Sequence, residues 1–235
     1  MSLPQAVLFD LDGTLLDSEY LWLNAETKTM STWNIPWSRF DQEICLGGPL
    51  ERVASYMSKM IADARAEDAP TTEEIGDLLI LNVLDLFQTS PITWRPGARE
   101  LVIDVHERDI PTAIVTASWR ILLDAVLDGM RSQVGDFSVS VAGDEVAHSK
   151  PDPFPYHEAA RKLGVQIQHC LVFEDSPTGT ASGVASGAKT ISIEHLTPIQ
   201  VPGSINVETL EGQNVQEFWS LALGGSDLTK GFLNE

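Results

Sequence analysis

Asp10 and Asp12 stand one residue apart where the apolar run Val7-Leu8-Phe9 meets the turn residue Gly13. Two carboxylates so placed can supply a nucleophile, a proton donor and ligands for a hard cation. A second acidic pair, Glu174-Asp175, follows another apolar run, Leu171-Val172-Phe173. Adjacent carboxylates repel unless a cation or solvent offsets them. Magnesium takes oxygen ligands and keeps several waters, so a few carboxylates and a substrate phosphate would complete its shell. Between the pairs, Thr116 and Ala117 end the β-branched run Ile114-Val115, and Lys150 precedes Pro151. A hydroxyl and free amides where a strand passes into a helix suit a phosphoryl oxygen, or simply cap the helix. A lysine ahead of proline is held extended, which fixes its ammonium in place, although most lysines are solvated surface. Asp-x-Asp-Gly also opens calcium loops, but the twelfth loop position counted from Asp10 is Leu21, not the required Glu.

These groups need elements to carry them. Strand-like runs recur at residues 6–9, 111–115, 138–141, 170–173 and 189–193, separated after residue 96 by helical segments. That alternation predicts a doubly wound, Rossmann-like α/β core with a parallel sheet, whose ligands collect beyond the carboxyl ends of the strands. The first two strands are about a hundred residues apart, far more than a crossover helix needs. The intervening pattern is helical over 19 to about 33, 50 to about 66 and 72 to about 88. In the last, Ile75, Leu78, Leu79, Val83 and Leu86 form one apolar stripe, with Asn82 the exception. Thr71-Thr72-Glu73-Glu74 supplies its cap and acidic first turn. Residues 17–92 are therefore expected to form an inserted helical domain, with 1–16 and 93–235 as the core. Pro91 and Pro96-Gly97 mark the return crossing as a hinge. A helix is expected near 215–223, with fraying at Gly224-Gly225-Ser226.

The segment Phe9-Asp10-Leu11-Asp12-Gly13-Thr14, the strand end at Thr116, Lys150-Pro151 and Glu174-Asp175 together resemble, in order, the four motifs of the haloacid dehalogenase superfamily of phosphohydrolases. The resemblance implies a magnesium-dependent phosphatase acting on a small phosphorylated metabolite, such as a sugar phosphate, through an aspartyl-phosphate on Asp10. It implies Asp12 as acid and base, and Thr116, the Ala117 amide and Lys150 as phosphoryl-binding groups, which leaves Ser118, from its position, as the helix cap. It implies Asp10, the Asp12 carbonyl, Glu174 and Asp175 as metal ligands, and 17–92 as a cap over the site. Dehalogenases of the superfamily lack the second aspartate, and neither Lys28 nor Lys59 has the setting of an imine-forming cap lysine. The alternative is a sugar-phosphate mutase resembling β-phosphoglucomutase. Such mutases grip a second phosphate with basic cap-loop residues, whereas this chain has Leu46-Gly47-Gly48-Pro49-Leu50, with Arg52 further on.

A chain of 235 residues with 43% hydrophobic and 21% charged residues can bury a good core. A net charge of −19 without a basic cluster argues against nucleic acid. An anionic substrate then requires local charge reversal by a cation and placed basic side chains. No apolar stretch suits a membrane span and no signal peptide is evident, so the cytoplasm is the expected compartment. Cys45 and Cys170 suggest buried fillers, not a disulfide or zinc site. His148 has no evident companion and no protein partner is evident, while Trp22, Trp33, Trp37 and the Leu46–Leu50 loop could line an apolar pocket that stacks on a sugar ring, although tryptophans at helical spacing are more often core.

Overall fold

A computed structural model describes residues 3–45, 49–64 and 69–224. Its sheet is built from β1 (Ala6–Phe9), β2 (Thr112–Val115), β3 (Val139–Val141), β4 (Cys170–Glu174), β5 (Lys189–Ile193) and β6 (Ile205–Val207). All neighbours pair in parallel, in the order β3-β2-β1-β4-β5-β6. This is the doubly wound order, which opens a crevice at the carboxyl ends of the central strands. β1, β2 and β4 are wholly buried, as apolar runs without alternation require when helices cover both faces. Val7 and Phe9 join the cluster beneath helices α5 (Ala98–Glu107), α6 (Arg120–Val134) and α9 (Val215–Ala222); Ala6 and Leu8 join the one beneath α7 (Phe154–Leu163), beside which α8 (Pro177–Ala185) packs on β4 and β5.

Between β1 and α5 lie α1 (Glu19–Ser31), α2 (Arg39–Cys45), α3 (Leu50–Ala64) and α4 (Thr72–Thr89), with their own apolar core of Met57, Ile61, Ile75, Leu79 and Val83. The expected cap of α4 forms, and as a full capping box, Thr71 and Glu74 bonding reciprocally. Asn82 is buried on the apolar stripe, where its amide donates to Thr29 Oγ1 at 2.9 Å. The two crossings between core and insert are laced together: Asp17 N donates to Thr93 O at 2.9 Å and Arg95 N to Leu15 O at 2.8 Å. α4 also packs on α6, and Leu122 of α6 enters the insert's core.

Two elements escape the sequence pattern. α2 spans two turns with buried positions only at Gln42 and Cys45, and β6 is a three-residue edge strand placed by its pairing with β5. Both cysteines are buried and unpaired. Among the described residues, no helix is long and apolar enough to cross a membrane. The cap-loop residues Leu46–Gly48 that weigh hydrolysis against mutation, and the tail from Gly225, lie outside the described residues.

Candidate active site

The carboxyl ends of β1 and β4 bring Asp10, Glu174 and Asp175 together, because Asp10 N continues the parallel ladder by donating to Phe173 O at 3.0 Å. One carboxylate oxygen from each residue lies within 4.8 Å of the others, and all three side chains are buried. Lys150 reaches this cluster from the loop before α7. Its Nζ donates to Asp10 Oδ1 at 2.7 Å, Glu174 Oε1 at 2.6 Å and Val115 O at 2.8 Å, using all three protons. Burial alone would lower the lysine's pKa, but attraction to Asp10 and Glu174 outweighs it and holds the ammonium above the ordinary range. Burial and the Glu174 charge push Asp10 up to about 7 against the pull of Lys150. Asp175 is held well above the carboxylate range by burial, then by Asp10 and Glu174.

One ammonium does not balance three buried carboxylates. Asp175 Oδ2 is buried with no hydrogen-bond partner among the described residues, while Oδ1 accepts from Thr14 Oγ1 at 3.2 Å. An unpartnered carboxylate oxygen facing two further carboxylates fits a hard cation. The backbone closes around the cluster where only glycine fits: a Cβ on Gly13 (φ +87°) would lie 2.0 Å from Asp175 Oδ2, and one on Gly179 would lie 2.0 Å from Glu174 Oε2.

Asp12 hangs between core and insert. Its Oδ1 accepts from Ser18 Oγ at 2.6 Å and Trp22 Nε1 at 3.0 Å, and its Oδ2 accepts from Ser118 Oγ at 2.7 Å. Ser118 is therefore not the cap of the following helix. α6 starts at Arg120, whose amide donates to Asp144 Oδ1 at 2.8 Å, leaving the serine hydroxyl for Asp12. Thr116 Oγ1 takes the Ser118 amide at 3.0 Å, and Thr116 and Ala117 both line the cleft with Asp10, Asp12 and Lys150. Every expected site residue borders this cleft except Glu174, which lies behind Lys150.

Four contributors have no readable motif. Tyr156 is wholly buried and donates to Glu174 Oε1 at 2.6 Å, so two donors converge on one oxygen of Glu174. Its position on α7, shortly after Lys-Pro, looks like any core aromatic. Trp22 and Glu26 line the cleft from α1 and share a helix face with Glu19, a spacing of three and seven visible only once that helix is known to face the site. His195, after β5, brings Nδ1 to 3.9 Å from Asp175 Oδ2. His148 lies near the Phe154 ring, 6.1 Å between centroids, and Lys28 pairs with Asp85 on the surface at 3.2 Å.

Sequence comparison matches residues 7–193 to the profile of the haloacid dehalogenase-like hydrolases. The protein CbbY of Rhodobacter capsulatus is 32% identical over 203 residues, covering 83% of this chain and 85% of that protein. Hexitol phosphatase B of Escherichia coli K12 is 30% identical over 201 residues, covering 82% and 86%. A crystal structure of a CbbY mutant from Rhodobacter sphaeroides in complex with xylulose-(1,5)-bisphosphate shares the fold, with a TM-score of 0.76 at 23% identity over 92% of this chain and 99% of that one. With the parallel sheet, the helical insert after β1 and the buried acidic cluster at the strand ends, these matches establish that the chain belongs to the haloacid dehalogenase-like hydrolases.

Proposed function

We propose that the protein is a magnesium-dependent phosphatase of a small phosphorylated metabolite, acting through an aspartyl-phosphate on Asp10. The observation that carries this reading is the Lys150 ammonium fixed between Asp10 and Glu174 at 2.7 and 2.6 Å, beside an Asp175 oxygen without a donor. The matched hexitol phosphatases and the sugar-bisphosphate complex of CbbY support a sugar phosphate as substrate. The chain divides as a core of residues 1–16 and 93–235 and a cap of residues 17–92, hinged where the two crossings are laced together.

Asp10, the Asp12 backbone carbonyl, Glu174 and Asp175 would hold the magnesium ion, which supplies charge neutralisation for attack of one anion on another. Lys150 contributes the fixed positive charge from the protein and holds Asp10 in place. Thr116 and the Ala117 amide face the phosphoryl oxygens. The Asp10 carboxylate forms a bond to phosphorus as the ester oxygen departs, and Asp12 protonates that oxygen. Asp12, now a carboxylate, removes a proton from the water that cleaves the acyl phosphate, releasing inorganic phosphate and restoring Asp10. Ser18, Trp22 and Ser118 orient Asp12 for both transfers.

The test is phosphate release from a panel of phosphorylated metabolites with and without magnesium, in wild type and Asp10→Asn. Magnesium-dependent release abolished in the variant is expected. Conversion of β-glucose 1-phosphate to glucose 6-phosphate, primed by its bisphosphate and without phosphate release, would replace hydrolysis by the mutase reading.

A further inference from the structure

The cleft runs from Lys150 past Asp12, Trp22 and Glu19 to a second pole at Glu26. It extends beneath α1 in a space of about 750 Å3 that includes room open to solvent. Glu19, Trp22 and Glu26 line it from one helix face, and Trp119 and Leu122 line it from the core. The Gln42 amide, from α2, donates to the Glu19 carbonyl at 2.8 Å and to its carboxylate at 3.2 Å. Glu26 is only 3% exposed. Its Oε2 accepts the Trp37 indole N–H at 2.9 Å, and among the described residues no donor reaches Oε1.

A buried carboxyl whose second oxygen opens onto a cleft offers that oxygen to whatever enters the cleft. Among the described residues that line the cleft, Lys150 is the single cation, and it is committed at the other pole. We infer that Glu26 is a specificity-determining residue that hydrogen-bonds a hydroxyl at the far end of an uncharged, polyhydroxylated leaving group, so that the cleft takes sugar or polyol monophosphates and rejects esters carrying a second phosphate. This rests on the phosphatase reading and adds to it the chemistry of the leaving group. A second phosphate at this pole would meet the carboxyls of Glu19 and Glu26, while Arg52, the described cation nearby, is engaged with the Cys45 carbonyl at 2.7 Å. A hydroxyl can donate to Oε1 while its carbon skeleton lies against the indoles of Trp22 and Trp119. Burial pushes Glu26 up to about 7, so above that pH its carboxylate accepts from a hydroxyl and repels a second phosphate. Both carboxyls already take neutral N–H donors, from Trp37 and Gln42, which matches a hydroxyl better than an amine.

The experiment measures kcat/KM of the full-length protein with magnesium for glucose 6-phosphate, glucose 1,6-bisphosphate and glucosamine 6-phosphate, in wild type, Glu26→Gln and Glu26→Lys. Wild type is expected to favour glucose 6-phosphate over the bisphosphate by about 100-fold, with the ratio narrowing about tenfold in Glu26→Gln and further in Glu26→Lys. Because each ratio comes from one preparation, loss of folded protein cancels, and the glutamine variant keeps the test open if the lysine variant does not fold. A wild-type preference for the bisphosphate or the amine, or a ratio unmoved in Glu26→Gln, overturns the inference. Magnesium-dependent release from p-nitrophenyl phosphate, lost in Asp10→Asn, tests the phosphatase reading by itself. If that succeeds while no glucose ester is turned over, the Glu26 inference alone falls; if no ester is cleaved, both fall.

Discussion

The indole N–H of Trp22 lies 3.0 Å from Oδ1 of Asp12, joining the first cap helix to the carboxylate that follows β1. Ser118 grips the other oxygen from the core at 2.7 Å, so the orientation of Asp12 depends on both parts of the chain at once. A hydrogen bond to a charged group contributes about 1.5–3 kcal/mol, so Trp22→Phe should lower kcat by about tenfold or more on an alkyl phosphate. With p-nitrophenyl phosphate the leaving group needs no acid, and the loss should be several-fold smaller. Equal losses on the two substrates would remove Asp12 orientation as the role of Trp22.

Lys150 answers to stability as well as to chemistry. Its ammonium is fully enclosed with Asp10, Glu174 and the Val115 carbonyl as partners. Removing one partner of a buried ion pair strands the other, at about 3–5 kcal/mol. Lys150→Met should lower the unfolding free energy in urea, without metal, by that amount. A loss below about 1 kcal/mol would show that the carboxylates neutralise without the lysine.

Much of this site was legible in the sequence because its parts sit at strand ends. The apolar runs at Val7–Phe9 and Leu171–Phe173 position Asp10, Asp12, Glu174 and Asp175 with little freedom, and the register of β1 on β4 then brings the two acidic segments together. Ser118 was misread because its cap role was judged from position alone, whereas Asp144, distant in sequence, takes the helix start and frees the hydroxyl for Asp12. Tyr156 and Glu26 were hidden for a related reason, and Trp22 stood out only as one of three tryptophans that could line a pocket. Each lies on a helix where aromatic or acidic residues are ordinary, and only the packing of that helix says which face meets the cleft. β6 and α2 are too short to carry a period of their own.

The crowding of Asp175 against Asp10 and Glu174 makes the metal-free protein less stable than it need be. Burial and those two charges hold the Asp175 carboxyl well above its ordinary range. Asp175→Asn should therefore raise the thermal midpoint in chelator. Magnesium at about 100 times its dissociation constant should add about 2.7 kcal/mol to the wild type, and little to the variant. A variant that responds to magnesium as strongly as the wild type would exclude Asp175 from the ion's ligands.

Glu26 should leave its mark on the pH dependence of stability. Burial raises its pKa from 4.5 to about 7 in the folded chain, partly opposed by the Trp37 N–H. As pH rises from 4.5, the unfolded chain releases the proton while the folded chain keeps it, so the unfolded state gains relative stability until the folded group also ionises. The Glu26 contribution to stability therefore falls across pH 4.5–7 and is level above about 8. Glu26→Gln removes this titration and retains an amide oxygen for the Trp37 bond. The two proteins should unfold at similar urea concentrations near pH 4, and the variant should lead by up to about 3 kcal/mol at pH 8. A difference that does not change with pH would mean that Glu26 is charged in the folded protein, with an unidentified donor at its second oxygen.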